Sequence, residues 1–281
     1  MTISGDAQLA TLLERDKVRK DVSAIIDLID GVLAAADGDT RTDWIDLIAP
    51  SPSDELTSAL LALRDERKGL FKEAKDDFDP AERVAALRTY LAAKGVDGFI
   101  VPRADEHQGE NVPARAERLA WLTGFTGAAV VLGDKAAVFI DGRYTIQVRQ
   151  QVNRDLFEYR HLVDEPVVGW LHDNLKTGQK MAYDPWLHTV QQAAHLRSAC
   201  EGVGAELVAI DTNPIDALWH AQPAMPLGPV RPHPIEYAGK STADKRVQIA
   251  DALSRISCDS AILSAPDSIA WLLNIRGADV P

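Results

Sequence analysis

The sequence predicts an α/β fold: a mixed sheet with flanking helices, preceded by a small helical extension. From residue 80 onward, short apolar runs alternate with segments of helical periodicity, a pattern typical of layered α/β proteins. The first 80 residues show only helical spacing. They also hold a net charge of −8, against −4 for residues 81–281. The chain therefore divides into two kinds of segment.

Composition and charge limit the function classes. The chain has 281 residues, 46% hydrophobic and 26% charged, which is ordinary for a soluble globular protein. A net charge of −12 argues against a nucleic-acid partner. No apolar run approaches the ~20 residues that cross a bilayer, and the start MTISGDAQLA lacks signal-peptide features, so no membrane is expected. Cys200 and Cys258 form no CxxC pair, which predicts two reduced, buried thiols in a cytoplasmic protein.

Residues 1–79 are predicted to form an acidic helical extension. Apolar residues recur at helical spacing over residues 22–33, and Gly38 is a plausible stop. A second helix is expected to begin at Ser51, whose hydroxyl can cap it, and to end at Gly69. Residues of this extension resemble no family. The sequence does not define the role of this extension. The default hypothesis is that it is a docking or solubilising appendage.

Residues 80–221 are predicted to form one α/β domain. A helix is expected over Ala81–Lys94, with Gly95 ending it, and another over Thr189–Glu201. Gly133 and Asp134 lie between two apolar runs and indicate a hairpin. The predicted strands are Gly98–Pro102, Ala128–Leu132, Ala136–Asp141, Lys180–Asp184 and Ala205–Ile210.

Residues 222–234 hold five prolines and predict a stiff interdomain linker. Residues 235–281 are interpreted as the truncated start of a second domain, too short to bury a core alone. Ser241 is expected to cap a helix, Ala261–Ala265 to form a strand, and Asp267–Leu273 a further helix.

Several catalytic signatures are absent from the sequence. It contains neither HExxH nor GxSxG. The segment Gly239–Thr242, GKST, resembles the end of a phosphate loop, but Pro234 stands where that pattern needs a glycine. Gly124–Gly127, GFTG, lacks the spacing of a dinucleotide fingerprint and favours a turn.

Four clusters of polar residues are candidates for a functional site. His107 lies near Asp105, Glu106 and Glu110, which could be an acid–base or metal cluster but is more typical of a solvated loop. Arg143 and Tyr144 could reach a neighbouring domain, although capping of the preceding strand is the expected role. The other two groups are expected to be structural: a turn at residues 184–188 with Trp186 buried, and an ion pair or cap formed by Asp267 and Arg276.

Three segments together carry a family resemblance: VPRADEHQGE at Val101–Glu110, ERLAWLTGFTG with FIDGRYTIQVRQQV at residues 117–152, and PDSIAWLLNIRGADVP at Pro266–Pro281. In this order they resemble the three-domain Xaa-Pro aminopeptidases (aminopeptidase P). The resemblance covers Ala81–Pro281 and implies a creatinase/prolidase N-terminal-like fold. The family usually reads GFTGSAG, whereas Gly127 here runs directly into Ala128, and a shorter turn could shift the hairpin register.

The resemblance implies a non-catalytic N-terminal part of a metalloaminopeptidase that releases the residue preceding proline. Its two divalent metal ions, Mn²⁺ expected, and its ligands would lie in a C-terminal pita-bread domain beyond Pro281. No catalytic, cofactor-binding or metal-binding residue is therefore assigned in this chain, and the chain alone is expected to be inactive. The implied partners are peptides with proline at the second position and a second subunit in a homodimer. The alternative is a stand-alone, non-catalytic binding module derived from the same fold.

Overall fold

The computed structural model describes residues 3–34, 42–73, 79–109 and 111–278. The chain forms two compact units. One is continuous, Lys75–Gln222, and the other combines Met1–Ala74 with Pro223–Pro281. The predicted division at residues 79, 221 and 234 stays a prediction. Gly38, the expected stop of a helix, lies outside the described residues.

The central feature of the continuous unit is a six-stranded mixed sheet in the order β4-β3-β2-β1-β5-β6. β2 is antiparallel to both neighbours, and the other adjacent pairs are parallel. The α/β prediction is therefore confirmed. The strands are β1 (Gly98–Val101), β2 (Ala128–Leu132), β3 (Ala136–Ile140), β4 (Glu158–His161), β5 (Lys180–Tyr183) and β6 (Glu206–Ala209), with a separate pair β7 (Arg231–Pro232) and β8 (Ile275–Arg276).

The helices have bounds close to those that capping and periodicity predict in the α/β region. In chain order they are α1 (Ile3–Arg15), α2 (Val22–Ala34), α3 (Asp54–Glu73), α4 (Pro80–Ala93), α5 (Arg118–Thr123), α6 (Gln147–Gln151), α7 (Val167–Asn174), α8 (Val190–Gly202), α9 (Pro214–Leu218), α10 (Ile235–Ala238), α11 (Thr242–Arg255) and α12 (Pro266–Leu273). Sequence reasoning did not identify β4, α5, α7 or α9.

Both faces of the sheet are covered by apolar side chains. On one face, α4 contributes Val84, Leu87 and Leu91, all almost fully buried. On the other face, α7 and α8 contribute Trp170 and Leu196 among others. Because strands buried on both faces need apolar residues throughout, β2 and β3 read as continuous apolar runs rather than alternating ones.

Local sequence signals explain the ends of two helices. Asp79 accepts the N–H of Ala81 at 2.8 Å and so caps α4. Thr189 and Gln192 form a reciprocal capping box at the start of α8. Each arrangement satisfies backbone N–H groups that have no partner within the helix.

The GFTG turn leads into a regular hairpin despite its short form. Gly127 has φ +137°, and a Cβ there would lie 2.8 Å from the carbonyl oxygen of Phe139, so glycine is required. β2 and β3 then pair residue by residue from Ala128 opposite Phe139 to Val131 opposite Ala136. The turn therefore leaves the hairpin intact.

The helical extension has its own core, and two predicted boundaries in it are wrong. Trp44, Leu56 and Leu60 are almost fully buried in this core. The helix predicted from Ser51 begins at Asp54, because Ser53 Oγ, not Ser51, accepts the N–H of Leu56 at 3.2 Å. It also continues through Gly69, since apolar packing along α3 outweighs the ~1 kcal/mol cost of one glycine.

The proline-rich segment makes contacts with the extension. Leu227 donates its N–H to the carbonyl of Gly31 at 2.9 Å. A Cβ on Gly31 would lie 2.7 Å from the carbonyl oxygen of Met225, so the segment passes close against α2. Arg231 forms an ion pair with Asp43 at 3.0 Å. The linker interpretation stays a prediction, but this segment packs on the helices of the first 74 residues.

One strand prediction is wrong. Ala261–Ala265 has no regular structure, and Ile262 is 95% exposed. Although the run AILSA has strand propensity, it pairs with no strand among the described residues, and a strand without a partner is not stable. The predicted α12 and the Ser241 cap of α11 are present, with Ser241 Oγ accepting the Asp244 N–H at 3.1 Å.

Within the described ranges, no helix is both long enough and apolar enough to span a membrane.

Candidate functional site at the carboxyl edge of the sheet

The motif-bearing loops meet at one edge of the six-stranded sheet. β1, β3, β5 and β6 run in the same direction, so their carboxyl ends share an edge, and the antiparallel β2 begins there. Ligands of open α/β sheets bind outside the carboxyl ends of the strands, so this edge is the candidate site. β4 is parallel to β3, so its carboxyl end lies at this edge too. The loops of this edge are residues 102–109, 124–127, 141–146, 162–166 and 184–188.

The loop after β1 is organised by a buried carboxylate. Asp105 accepts the N–H of His107 at 3.0 Å and that of Gly109 at 3.3 Å. His107 itself is exposed, and Glu110 lies outside the described residues. The structure therefore gives Asp105 a turn-forming role and places His107 in a solvated loop.

The loop after β3 is a capped turn. Asp141 accepts the N–H of Arg143 at 2.9 Å, and the guanidinium of Arg143 pairs with the same carboxylate at 2.9 Å. These hydrogen bonds from Arg143 lower the pKa of the Asp141 carboxyl. Tyr144 packs edge-on against Phe125 with ring centroids 6.0 Å apart, which joins this turn to the GFTG turn. Capping, the expected role, is what the contacts show.

The loop after β5 corrects one sequence prediction. Asp184 caps the turn by accepting the N–H of Trp186 at 3.0 Å, and it also accepts a hydrogen bond from the side chain of Asn213 at 2.9 Å. Trp186 is 76% exposed rather than buried, because Leu187 takes the inward position. His188 packs edge-on against Tyr183 and bonds the Asp184 carbonyl at 2.8 Å. Burial lowers the pKa of His188, and that hydrogen bond opposes the effect.

Sequence reasoning missed a buried ion pair beside this edge. The guanidinium of Arg118 binds Asp216 through Nε at 2.7 Å and Nη2 at 2.8 Å, joining α5 to α9. Gln222 donates to the same carboxylate at 2.7 Å. Within the described ranges, Arg118 Nη1 has no hydrogen-bond partner. The two residues are 98 positions apart, so no local sequence pattern signals the pair.

The prediction that Asp267 and Arg276 form an ion pair or a cap is wrong: among the described residues the two form no ion pair, and no side chain caps α12. Arg276 donates instead to the carbonyl of Ile275 at 3.0 Å, and Asp267 is exposed in the first turn of α12. Lys245, which the sequence did not single out, holds this segment. Its buried ammonium donates to the Trp271 carbonyl at 2.8 Å and to Asn274 Oδ1 at 2.5 Å.

Metal-ligand geometry was tested over the part of the chain that the structure describes. No group of three or more His, Cys, Asp or Glu side chains there could hold a metal ion. These residues therefore do not fit a metal centre. That the chain contributes no catalytic or ligand residue stays a prediction.

Comparison with known proteins defines the class. Residues 83–218 and residues 221–281 match two families that share the description Creatinase/Prolidase N-terminal domain. These matches agree with the sheet and its flanking helices described above. The chain belongs to the creatinase/prolidase N-terminal domain class and, within it, to the N-terminal region of the aminopeptidase P family.

The relatives are aminopeptidases from several kingdoms. The chain is 34% identical over 218 residues to a probable Xaa-Pro aminopeptidase P of Coccidioides posadasii, covering 75% of this chain and 34% of that protein. It is 33% identical over 211 residues to aminopeptidase P2 of Arabidopsis thaliana, covering 71% of this chain and 29% of that protein.

A solved structure supports the same assignment. The X-prolyl aminopeptidase of Caenorhabditis elegans, described as a cytosolic enzyme with a di-nuclear active site, superposes with a TM-score of 0.66. It is 28% identical and the match covers 73% of this chain and 36% of that protein. The chain thus spans about a third of the length of the relatives it matches.

Proposed function

We propose that this chain acts as the N-terminal, non-catalytic part of a Xaa-Pro metalloaminopeptidase that releases the residue preceding proline from peptides. The observation that carries the proposal is the order of the two family matches, which follow one another from residue 83 to residue 281. In the proposed enzyme, two divalent ions, with Mn²⁺ expected, would supply the hydrolytic chemistry from a separate catalytic domain.

In that enzyme the carboxyl edge of the sheet would shape access to the active site. Large apolar side chains stand exposed on the loops of this edge: Ile146, Val163 and Trp186 are each at least 75% exposed. Such side chains favour contact with another protein surface, because their burial removes apolar area from water. Capped turns at Asp141 and Asp184 would hold those loops in place.

The same proposal includes a cytoplasmic location and a homodimer, without nucleic-acid or membrane partners. The low cysteine content and the acidic charge support the location and the absence of nucleic acid. The dimer follows from the family resemblance. Sedimentation velocity of the purified chain measures the oligomeric state.

Activity is tested on the purified chain with a fluorogenic peptide that has proline at its second position, with and without Mn²⁺. We expect no turnover above the blank. Turnover that survives repurification and is lost in the His107→Ala variant would overturn the non-catalytic assignment.

The reading frame after the Pro281 codon tests the link to an enzyme. A frame that encodes a carboxylate and histidine ligand set would support the proposal. A stop codon at that point would instead favour the stand-alone binding module.

A further inference from the structure

The helical extension contains a groove between α1 and α3. The two helices run antiparallel, since Arg15 at the end of α1 binds Ser53 and Glu55 at the start of α3. The groove has a volume of about 600 Å³, within the ~300–1,000 Å³ typical of binding clefts. Leu9 and Leu63 form a buried floor.

Small side chains keep this groove open. Ser58, Ala59 and Ala62 line it from α3, so no large side chain of the described residues fills the space between the two helices there. Leu12 on α1 is partly buried and presents an apolar wall. The surface offers apolar contact along about three turns of helix, which is the geometry that accepts a third helix.

The rim of the groove is acidic. Asp54, Glu55 and Glu66 line it, and among the residues that the structure describes no lysine or arginine does. Arg15 pairs with Glu55 at one end of the groove, at 2.5 Å. The first 80 residues as a whole carry a net charge of −8. A ligand that places positive charge beside an apolar face would complement both features.

We propose that this groove binds an amphipathic helix of a separate protein, with large apolar side chains on one face and lysine or arginine beside them. Leucine-sized side chains of that helix would contact Leu9, Leu12 and Leu63, and its basic residues would lie over the acidic rim. Helix-in-groove recognition uses apolar anchors at such helical spacing.

Two other occupants are less consistent with the structure. A second copy of the extension would bring another strongly acidic surface against the rim, and like charges repel. A helix from the domains that this chain shares with its aminopeptidase relatives is also a poor match for the groove. The family matches begin at residue 83, so α1 and α3, which form the groove, lie outside the shared domains. A partner outside the family architecture fits both observations.

The test uses the full chain and a fluorescein-labelled amphipathic peptide with leucines at alternating third and fourth positions and lysines elsewhere. Fluorescence anisotropy is expected to show saturable binding that weakens with added salt, since screening reduces the charge attraction. In the Ala62→Arg variant, a long cation would fill the groove, and we expect affinity to fall at least about tenfold. Ala62 is exposed, so the fold should persist, as circular dichroism would check.

The matched control is Ala7→Arg, an exposed position on α1 outside the groove, where affinity should change less than about twofold. A peptide with glutamate in place of lysine should not bind. The proposal is overturned if the lysine peptide fails to saturate at millimolar concentration, if both peptides bind equally, or if Ala62→Arg binds like the wild type. Self-association that Ala62→Arg abolishes would assign the groove to a second copy and also overturn it.

Discussion

Replacing Asp216 with alanine would leave a buried guanidinium without its carboxylate. The side chain of Arg118 is only 9% exposed, and its Nη1 already has no hydrogen-bond partner in the part of the chain that the structure describes. Removing one partner of a buried pair costs ~3–5 kcal/mol. Because Asp216 is about a quarter exposed, water would reach part of the vacated space, so we expect a loss of ~2–3 kcal/mol from the free energy of unfolding.

Native-state hydrogen exchange measures this loss without requiring the whole chain to unfold in one step. The amides of Phe99, Ile100 and Val101 report the continuous unit, because β1 lies inside its sheet. A loss of ~2–3 kcal/mol corresponds to exchange about 30- to 150-fold faster at these amides.

Two control variants separate burial of the charge from loss of contacts. The double variant Arg118→Met/Asp216→Leu removes both charges, so we expect it to exchange within about fivefold of the wild type. Arg143→Ala breaks an exposed pair and should cost less than ~1 kcal/mol. The reasoning is refuted if Asp216→Ala changes exchange less than about fivefold, or if the double variant loses as much stability as Asp216→Ala.

Three further predictions follow from burial and exposure. Burial lowers the pKa of His188 in the folded chain, so the unfolded chain binds a proton at His188 more readily than the folded chain does. The contribution of neutral His188 to the free energy of unfolding is therefore complete above about pH 6.5 and is lost as the pH falls through the folded pKa. Urea titrations of His188→Asn should show a flatter dependence of this free energy on pH. Cys200 is buried as predicted, but the prediction that Cys258 is buried is wrong, since Cys258 is exposed. Burial raises the pKa of Cys200 to about 11, so iodoacetamide at pH 8 should modify Cys258 first. Mass mapping that finds Cys200 modified first would contradict this. Ile262→Ser should change the free energy of unfolding by less than ~0.5 kcal/mol, whereas a loss above ~1 kcal/mol would mean that Ile262 is covered in solution.

The parts of the fold that sequence predicts correctly are those with strong local signals. Ser241 caps α11 as predicted, because its hydroxyl accepts a backbone N–H only three residues along the chain. Asp79 and Thr189, which were not predicted as caps, act over the same short range. The hairpin around Gly133 and Asp134 is equally local. Each of these features depends on neighbours along the chain.

The features that sequence reasoning missed depend on distant partners. Asp216 joins Arg118 across 98 positions, and Trp121 stacks on Trp219 with ring centroids 5.9 Å apart. The run from Ala261 to Ala265 has strand propensity but finds no partner strand, so tertiary context decides against it. Trp186 is exposed for a similar reason, since Leu187 fills the inward position of its turn.

Both ends of the chain contribute to one unit, and this has a consequence for synthesis on the ribosome. The carbonyl of Gly31 can accept the N–H of Leu227 only after Leu227 has been synthesised. Asp43 likewise can pair with Arg231 only after Arg231, 188 positions later, has been added to the chain. Between the two segments of this unit the ribosome must translate the whole of Lys75–Gln222. At ~5–20 residues per second, the first helices leave the exit tunnel roughly ten to forty seconds before the segment that packs on them. During that interval the surface of α2 around Gly31 lacks the segment that later packs on it, so this surface is open to contact with other proteins, such as nascent-chain chaperones.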